Sequence, residues 1–519
     1  MQPQSRFKQN QHLYKEESLL DSAIGNTVST GIDNIPVHLL DHFLKEKSEW
    51  KLLRLLIEFF RKPGAPNPNK REVMNHIQVI IASFDDAINR QINKVIHHER
   101  FQKLEASWRG LYSLVEHADY YDTERQIKIR ALNITWKELS KDLDKAIDFD
   151  QSNIFNLIYS SEFDTPGGEP YGLILGDYEI SHKVQPGIPY NDTQTLRALS
   201  AVTGAAFAPF IGGAHPSLLG LDDFSELGLG SNISQVFDLP EYTSWRSLRE
   251  HEDARYLGLT IPKVLMRPPY EDDGTRADTF CFNEETHDSI KDYLWGNAVY
   301  AFGSVAIRAF AHSGWFANIR GFQRGAISGG LVTDLMTQSF ETDKKYLVTK
   351  PSTDTLITDR IEKDLSDQGL IPLSYCKDTE NLVFYSNNSL QKPQEYDKLS
   401  ASTNARLSAM LQYILCVSRF AHYIKIIARD KVGSFAKPKD CEDYIQRWLL
   451  TYATANDDSP LELKAKHPLR EAKVQVKEQP GKPGNYMCIA HLQPHFQLDQ
   501  LVSSIRMVTD IPANPNKRD

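Results

Sequence analysis

The chain has 519 residues, 41% of them hydrophobic and 24% charged, the composition of an ordinary soluble globular protein with roughly two to four domains. A formal net charge of -9 excludes a global basic field that would recruit nucleic acid or anionic lipid. The five cysteines, Cys281, Cys376, Cys416, Cys441 and Cys488, show no C-x-x-C spacing, which excludes a zinc ribbon and a disulfide framework and points to a reducing compartment.

Residues 1–30 are polar and glutamine-rich and lack an apolar signal core, so they read as a loose arm. A helical pattern follows from about 35 to 62, dense in Trp50, Leu53, Phe59 and Phe60, and is closed by KPGAPNPNK, a three-proline linker. Val73, Ile77, Ile80, Phe84, Ile88, Ile92 and Val95 then recur at a mean step of about 3.7, and Phe101, Leu104 and Trp108 continue the series. No proline interrupts 71–117, which predicts one long helix or two closely stacked ones. Within FQKLEASWRGLYSLV (101–115), Glu105 and Arg109 are placed to pair at i, i+4. Trp108 reads either as core or as a packing anchor where N-terminal helices meet the core. Gly110 either admits a close neighbour or ends the first helical segment.

From 125 the texture alternates between strands and helices. RQIKIRALNIT reads as a strand, WKELSKDLDKAI (136–147) as an amphipathic helix and YGLILGDYEI (171–180) as a buried strand. Residues 195–214 read as a helix running into an apolar strand, and 288–311, 355–368 and 404–430 as helices. The apolar stretch 294–311 carries Asn297 and Arg308 and is short for a membrane span, so it reads as a buried helix. Residues 471–496 form two alternating runs around a Pro/Gly turn, a hairpin. Leu498, Leu501, Val502, Ile505 and Val508 then read as a short amphipathic helix. The fold class is therefore mixed α/β (α+β).

The chemistry-bearing patterns are sparse. No P-loop and no H-E-x-x-H motif occurs, and the glycine-rich LGLGSN (227–232) lacks the strand–glycine–helix setting of a dinucleotide site. His97, His98 and Glu99 are adjacent and point apart on a helix; Pro494 separates His491 from His495. Ser328 in GAISGG has the wrong spacing for a nucleophile elbow, and Cys416 and His422 lie six apart on one helix. No catalytic, cofactor-binding or metal-ligating set emerges, and protein partners are the simpler explanation for Trp50, Phe59 and Phe60.

FQKLEASWRGLYSLV, FIGGAHPSLLGLDDFSEL (210–227), ARYLGLTIPKVLMRPPY (254–270), YLWGNAVYAFGSVAIRAFAHSGW (293–315), NARLSAMLQYILCVSRFAHYIKIIARDKVGSF (404–435) and FQLDQLVSSIRMVTDIP (496–512) together resemble, in order, the large subunit of the bacterial type VI secretion contractile sheath, the TssC/VipB family. The resemblance runs from about residue 35 to 512; Met336 stands where the family usually has proline. It implies a phage tail-sheath-like core with an N-terminal helical arm and a C-terminal β-hairpin plus short helix. It implies as partners a small sheath subunit (TssB/VipA-like), copies of the chain itself in a helical polymer, inner-tube Hcp-like hexamers, a baseplate and an AAA+ unfoldase acting on contracted sheath. Neither nucleic acid nor membrane insertion nor a cofactor is implied. The setting would be the bacterial cytoplasm, in a filament anchored at the inner membrane through the baseplate.

On that reading the chain divides into a flexible arm (1–34), an N-terminal helical region for partner contact (35–124), a core of two subdomains (125–460) and C-terminal strands, helix and tail (461–519). Trp50, Leu53, Phe59, Phe60, Ile77, Phe84 and Trp108 are the candidate contacts with the small subunit or a neighbour. Val474, Val476, Met487 and Ile489 are candidates for strand exchange, and Asp499 and Arg506 for facing the inner tube. Two readings compete: a baseplate or scaffold component of the same apparatus, and an α/β hydrolase-like enzyme, which needs a nucleophile elbow that the sequence does not show.

Overall fold

The computed structural model describes residues 45–60, 69–184, 191–229, 233–271, 280, 282–286, 290–322, 326–339, 349–376, 379–430, 438–456, 459–478, 486–495 and 505–511. The chain separates into two units, one comprising 1–101 with 269–292 and the other 102–268 with 293–519.

The first unit contains helix α1 (Glu49–Phe60) and the long helix α2 (Lys70–Ile96). α2 starts where the proline linker ends, and the Glu72 carboxylate accepts the Asn69 backbone N–H at 3.0 Å, half of a capping box. One polar stripe of α2, at i, i+4 and i+8, ties down a later segment. Asn89 accepts the N–H of Asn283, Asn93 accepts that of Glu285, and the His97 ring meets Glu284 at 3.2 Å. His97 thus serves an intrachain contact. The expected run 71–117 is two helices broken at His97–His98, the second being α3 (Glu99–Tyr121).

The second unit is built on a six-stranded sheet. Its strands are β1 (Ile174–Ile180), β2 (Phe210–Ala214), β3 (Leu257–Ile261), β4 (Leu331–Val332), β5 (Ile371–Tyr375) and β6 (Leu382–Phe384), in the order β1-β2-β3-β5-β6-β4. The first four in that order run parallel, and β6 and β4 complete the sheet antiparallel. Buried parallel strands read as continuous apolar runs, as in β2 (FIGGA) and β3 (LGLTI). Helices α4 (Trp136–Lys145), α5 (Asp192–Ala206) and α6 (Thr243–Glu250) build one core with β1–β3 through Leu139, Leu196, Leu199, Val202, Trp245 and Leu248.

A second core is formed by helix α7 (Val299–Ser313) and the start of helix α9 (Leu411–Asp430), through Phe302, Val305, Leu411 and Leu415 against Leu373 and Phe384. α7 is the membrane-like stretch, and it is a buried helix that begins at Val299, later than expected. Its Arg308 guanidinium is satisfied by the carbonyls of Gly329 and Leu331 at 2.9 and 2.6 Å. Among the described residues no helix is long and apolar enough to cross a membrane. Helix α8 (Asp359–Asp367) lies within the predicted 355–368, and the predicted 404–430 helix is two, Leu399–Ser408 and α9 (Leu411–Asp430).

A separate three-stranded antiparallel sheet, β7 (Leu469–Glu478), β8 (Tyr486–Pro494) and β9 (Ile505–Ile511), packs its apolar face on α9 and on helix α10 (Pro438–Leu450). The predicted hairpin is β7–β8. Two expectations fail. Among the described residues, 125–135 pair with no strand; Lys128 and Arg130 there engage Glu169 and Glu162. Of the expected C-terminal amphipathic helix, Leu498, Leu501 and Val502 lie outside the described residues, and the part from Ile505 on is instead strand β9. Its β-branched residues Ile505, Val508, Thr509 and Ile511 suit a pleated edge, and β8 offers one over seven paired positions.

Candidate assembly surface

Helix α3 has two contrasting faces. Ala106, Gly110 and Leu114 are buried, at i, i+4 and i+8. Leu104, Trp108 and Tyr112 are 56%, 65% and 64% exposed, and Val115 is exposed beside them. Ala106 and Gly110 face the protein with Leu114, while Leu104, Trp108 and Tyr112 face out, an apolar stripe that a monomer's surface helix would not expose. Trp108 is therefore not a buried core residue.

The buried face explains Gly110. A Cβ there would lie 2.4 Å from the ring carbons of Tyr300 on α7. The exchange is reciprocal: a Cβ on Gly303 of α7 would meet Leu114 of α3 at 2.7 Å. Each helix seats a large side chain of the other over a glycine. Tyr300 cannot swing aside freely, because its hydroxyl donates to Asp177 Oδ2 at 3.0 Å and Ser107 Oγ donates to the same carboxylate. Gly110→Ala should gain about 1 kcal/mol of helix propensity and lose about 3 kcal/mol to overpacking. Its melting temperature should fall, and the loss should vanish in a Tyr300→Leu background, a double-mutant comparison by thermal unfolding.

An ion cluster pins the start of this helix. Glu105 Oε1 accepts Arg109 Nε at 2.8 Å, the expected i, i+4 pair, and also Arg267 Nε at 2.8 Å. The Arg267 side chain is 4% exposed. Burial pushes the Glu105 carboxyl up, but the hydrogen bonds and charges of Arg267 and Arg109 outweigh it and hold the group below the usual carboxylate range. Arg267 lies 162 residues from Glu105 in sequence, and no spacing rule finds such a partner.

α2 carries a second exposed stripe. Met74, Ile81, Ile88 and Val95 recur every seven residues and are exposed; Ile77, half-buried, and Phe84, 56% exposed, fall between them. Steps alternating three and four make the a/d seam of a coiled coil, with Gln91 its one polar position. Of the other expected contacts, Trp50 on α1 is 81% exposed. Leu53, Phe59 and Phe60 lie within α1, and their side chains fall outside the description. In the C-terminal sheet Val474 and Ile489 are buried, and Val476 and Met487 half-buried. Arg506 sits opposite His491 on β9, while Asp499 lies outside the described residues.

The place where an open α/β sheet usually binds a ligand, the carboxyl ends of its parallel strands, is filled by protein. Lys263 Nζ meets Glu179 Oε1 at 2.6 Å, and the space left beside Thr260 and Asn297 is about 10 Å³. Asp354 closes the same end; burial pushes its carboxyl up to about 8, and it accepts the Lys263 backbone N–H. Cys416 and His422 are both fully buried: burial pushes the thiol up to about 12 and the imidazole down to about 3. The His422 Nε2 reaches the Ala206 carbonyl at 2.9 Å. Neither side chain is poised for nucleophilic chemistry. Among the described residues no three His, Cys, Asp or Glu side chains are grouped to hold a metal.

Two family models cover most of the chain. Residues 78–391 match VipB, described as the EvpB tail sheath N-terminal domain, and residues 400–511 match its companion, the tail sheath gpW/gp25-like domain. The chain belongs to the TssC/VipB family, the large sheath subunits of type VI secretion. Among individual proteins it is similar to the type VI secretion system sheath protein TssC1 of Pseudomonas aeruginosa, with 40% identity over 447 residues, 85% of this chain and 87% of that one. A chain of the cryo-EM structure of the anti-feeding prophage baseplate superposes over 60% of this chain and 64% of its own, at 8% identity and a TM-score of 0.32, too loosely to carry an argument.

Proposed function

We propose that the chain pairs with a small sheath subunit and that the pairs polymerise as a helical tube around an inner tube of stacked hexamers, whose ejection contraction drives. The observation that carries this reading is the outward stripe Leu104, Trp108 and Tyr112 on a helix whose Ala106 and Gly110 face inward. A monomer gains nothing from that arrangement, whereas an obligate subunit buries it on assembly. The a/d stripe of α2 supports the same reading, since its period suits a partner helix, and α1 adds Trp50. In this scheme Trp50, Leu53, Phe59, Phe60, Ile77, Phe84 and Trp108 serve contacts with the small subunit or a neighbour. The C-terminal sheet links protomers by strand exchange, a tether that allows rigid rotation during contraction. Head-to-tail contacts that do not close give a filament. Arg506 on β9, with Asp499, would face the inner tube. The assembly would stand in the cytoplasm on a baseplate, and an AAA+ unfoldase would recycle it after contraction.

The test is co-expression with the small subunit, followed by negative-stain electron microscopy. Hollow tubes that are absent when either subunit is omitted are the expected result. A monomeric chain that ignores the partner would overturn the proposal.

A further inference from the structure

Both outer edges of a three-stranded sheet are ordinarily templates for another strand. Here the β7 edge is occupied. Residues 472, 474 and 476 point their backbone groups away from β8, and helix α10 meets them. Gln446 Nε2 donates to the Ala472 carbonyl at 2.8 Å, and Gln446 Oε1 accepts the Val474 N–H at 2.8 Å. Glu442 Oε2 accepts the Val476 N–H, also at 2.8 Å. One side-chain amide thus spans the carbonyl of one residue and the N–H two residues on, the pair of groups that a residue of an added parallel strand would engage. The spacing fits: four helical residues rise about 6 Å, and successive outward N–H groups of a strand lie about 6.7 Å apart. Gln446 and Glu442, at i and i+4, therefore stand in register with the strand edge.

We infer that Gln446 and Glu442 act as a side-chain substitute for a fourth strand, closing the β7 edge so that the C-terminal sheet takes up another strand only at β9. The antiparallel register decides which groups are open there. Residues 505, 507 and 509 bond to β8, so the N–H groups of Arg506, Val508 and Asp510 point outward, and among the described residues no strand pairs with them. The candidates on β7, Val474 and Val476, would then position the closed edge, and the exchanged strand would bond to β9. The closure rests on the sheet alone; its consequence for strand exchange rests on the sheath reading.

Amide hydrogen exchange resolved by residue tests it. In the chain alone, Val474 and Val476 should exchange slowly and Arg506, Val508 and Asp510 fast. Gln446→Ala should speed Val474 about tenfold, and Glu442→Ala should do the same for Val476. Gln475 and Lys477, which bond to β8, should not change and report whether the hairpin stays folded. If a variant loses that control, Gln446→Glu, which keeps the acceptor and lacks the donor, should leave Val474 slow. In tubes formed with the partner, protection should appear at 506, 508 and 510 and leave 474 and 476 as they were. Fast exchange at Val474 and Val476 in the unmodified chain, or slow exchange at the three β9 amides before assembly, would overturn the inference. Failure to form tubes bears only on the sheath reading, because the chain-alone comparison still decides the closure.

Discussion

Glu105→Gln should cost about 3 kcal/mol, seen as a drop of several degrees in the thermal transition above pH 5. Arg267 is almost wholly buried, and its Nε donates to Glu105 at 2.8 Å. Removing the carboxylate's charge leaves a guanidinium in a site with little water to stabilise it. Arg109, which shares the same oxygen, is 38% exposed, so Arg109→Ala should cost less than about 1 kcal/mol. The pH dependence follows from the sign of the shift. The folded-state pKa of Glu105 lies below its unfolded value near 4.3. Its contribution is therefore present above the unfolded pKa and is lost as pH falls through the folded one. Wild type and Glu105→Gln should differ by a constant amount above about pH 5 and converge in acid. Replacing both partners, Glu105→Gln with Arg267→Met, should recover most of the loss, because no charge is then left buried. A single variant as stable as the wild type at pH 7 would show that the cluster does not hold the helix.

α3 shows how far the sequence reaches. Its helical period, its i, i+4 ion pair and its glycine are all legible, and so is the resemblance of 101–115 to a family signature. The direction it faces is not. A stripe of Leu104, Trp108 and Tyr112 looks like a core face to any rule that sends large apolar residues inward. Gly110 and Ala106 become the buried face only because Tyr300, 190 positions further along the chain, supplies the bulk. β9 fails for a related reason. Leu498, Leu501, Val502, Ile505 and Val508 fit a helical period, but the edge of β8 decides the conformation of 505–511, and pairing is not a local property. Strands β3 and β5 are short apolar runs, which periodicity cannot separate from buried helix. The side-chain ladder from Gln446 and Glu442 to β7 lies beyond sequence reading altogether, since it depends on how α10 sits beside the sheet.

The opposite face of α3 should behave in the opposite way from its base. Trp108→Ala should change the melting temperature of the isolated chain hardly at all, because a side chain 65% exposed has little burial to lose; about 0.5 kcal/mol is the expected ceiling. A buried tryptophan would instead cost roughly 3 kcal/mol or more. Assembly should respond far more strongly. An aromatic anchor at the centre of an interface is worth about 2 kcal/mol or more, and in a polymer every subunit repeats the loss. Tubes formed with the small subunit should disappear in Trp108→Ala and be still harder to recover in Trp108→Ala with Tyr112→Ser. The informative comparison is with Gly110→Ala, two residues away, which should lower the stability of the chain itself by acting on the buried face. If Trp108→Ala melts like wild type and still forms tubes in wild-type yield, the outward stripe is not an interface, and the apolar seam of α2 becomes the surface to test for partner contact.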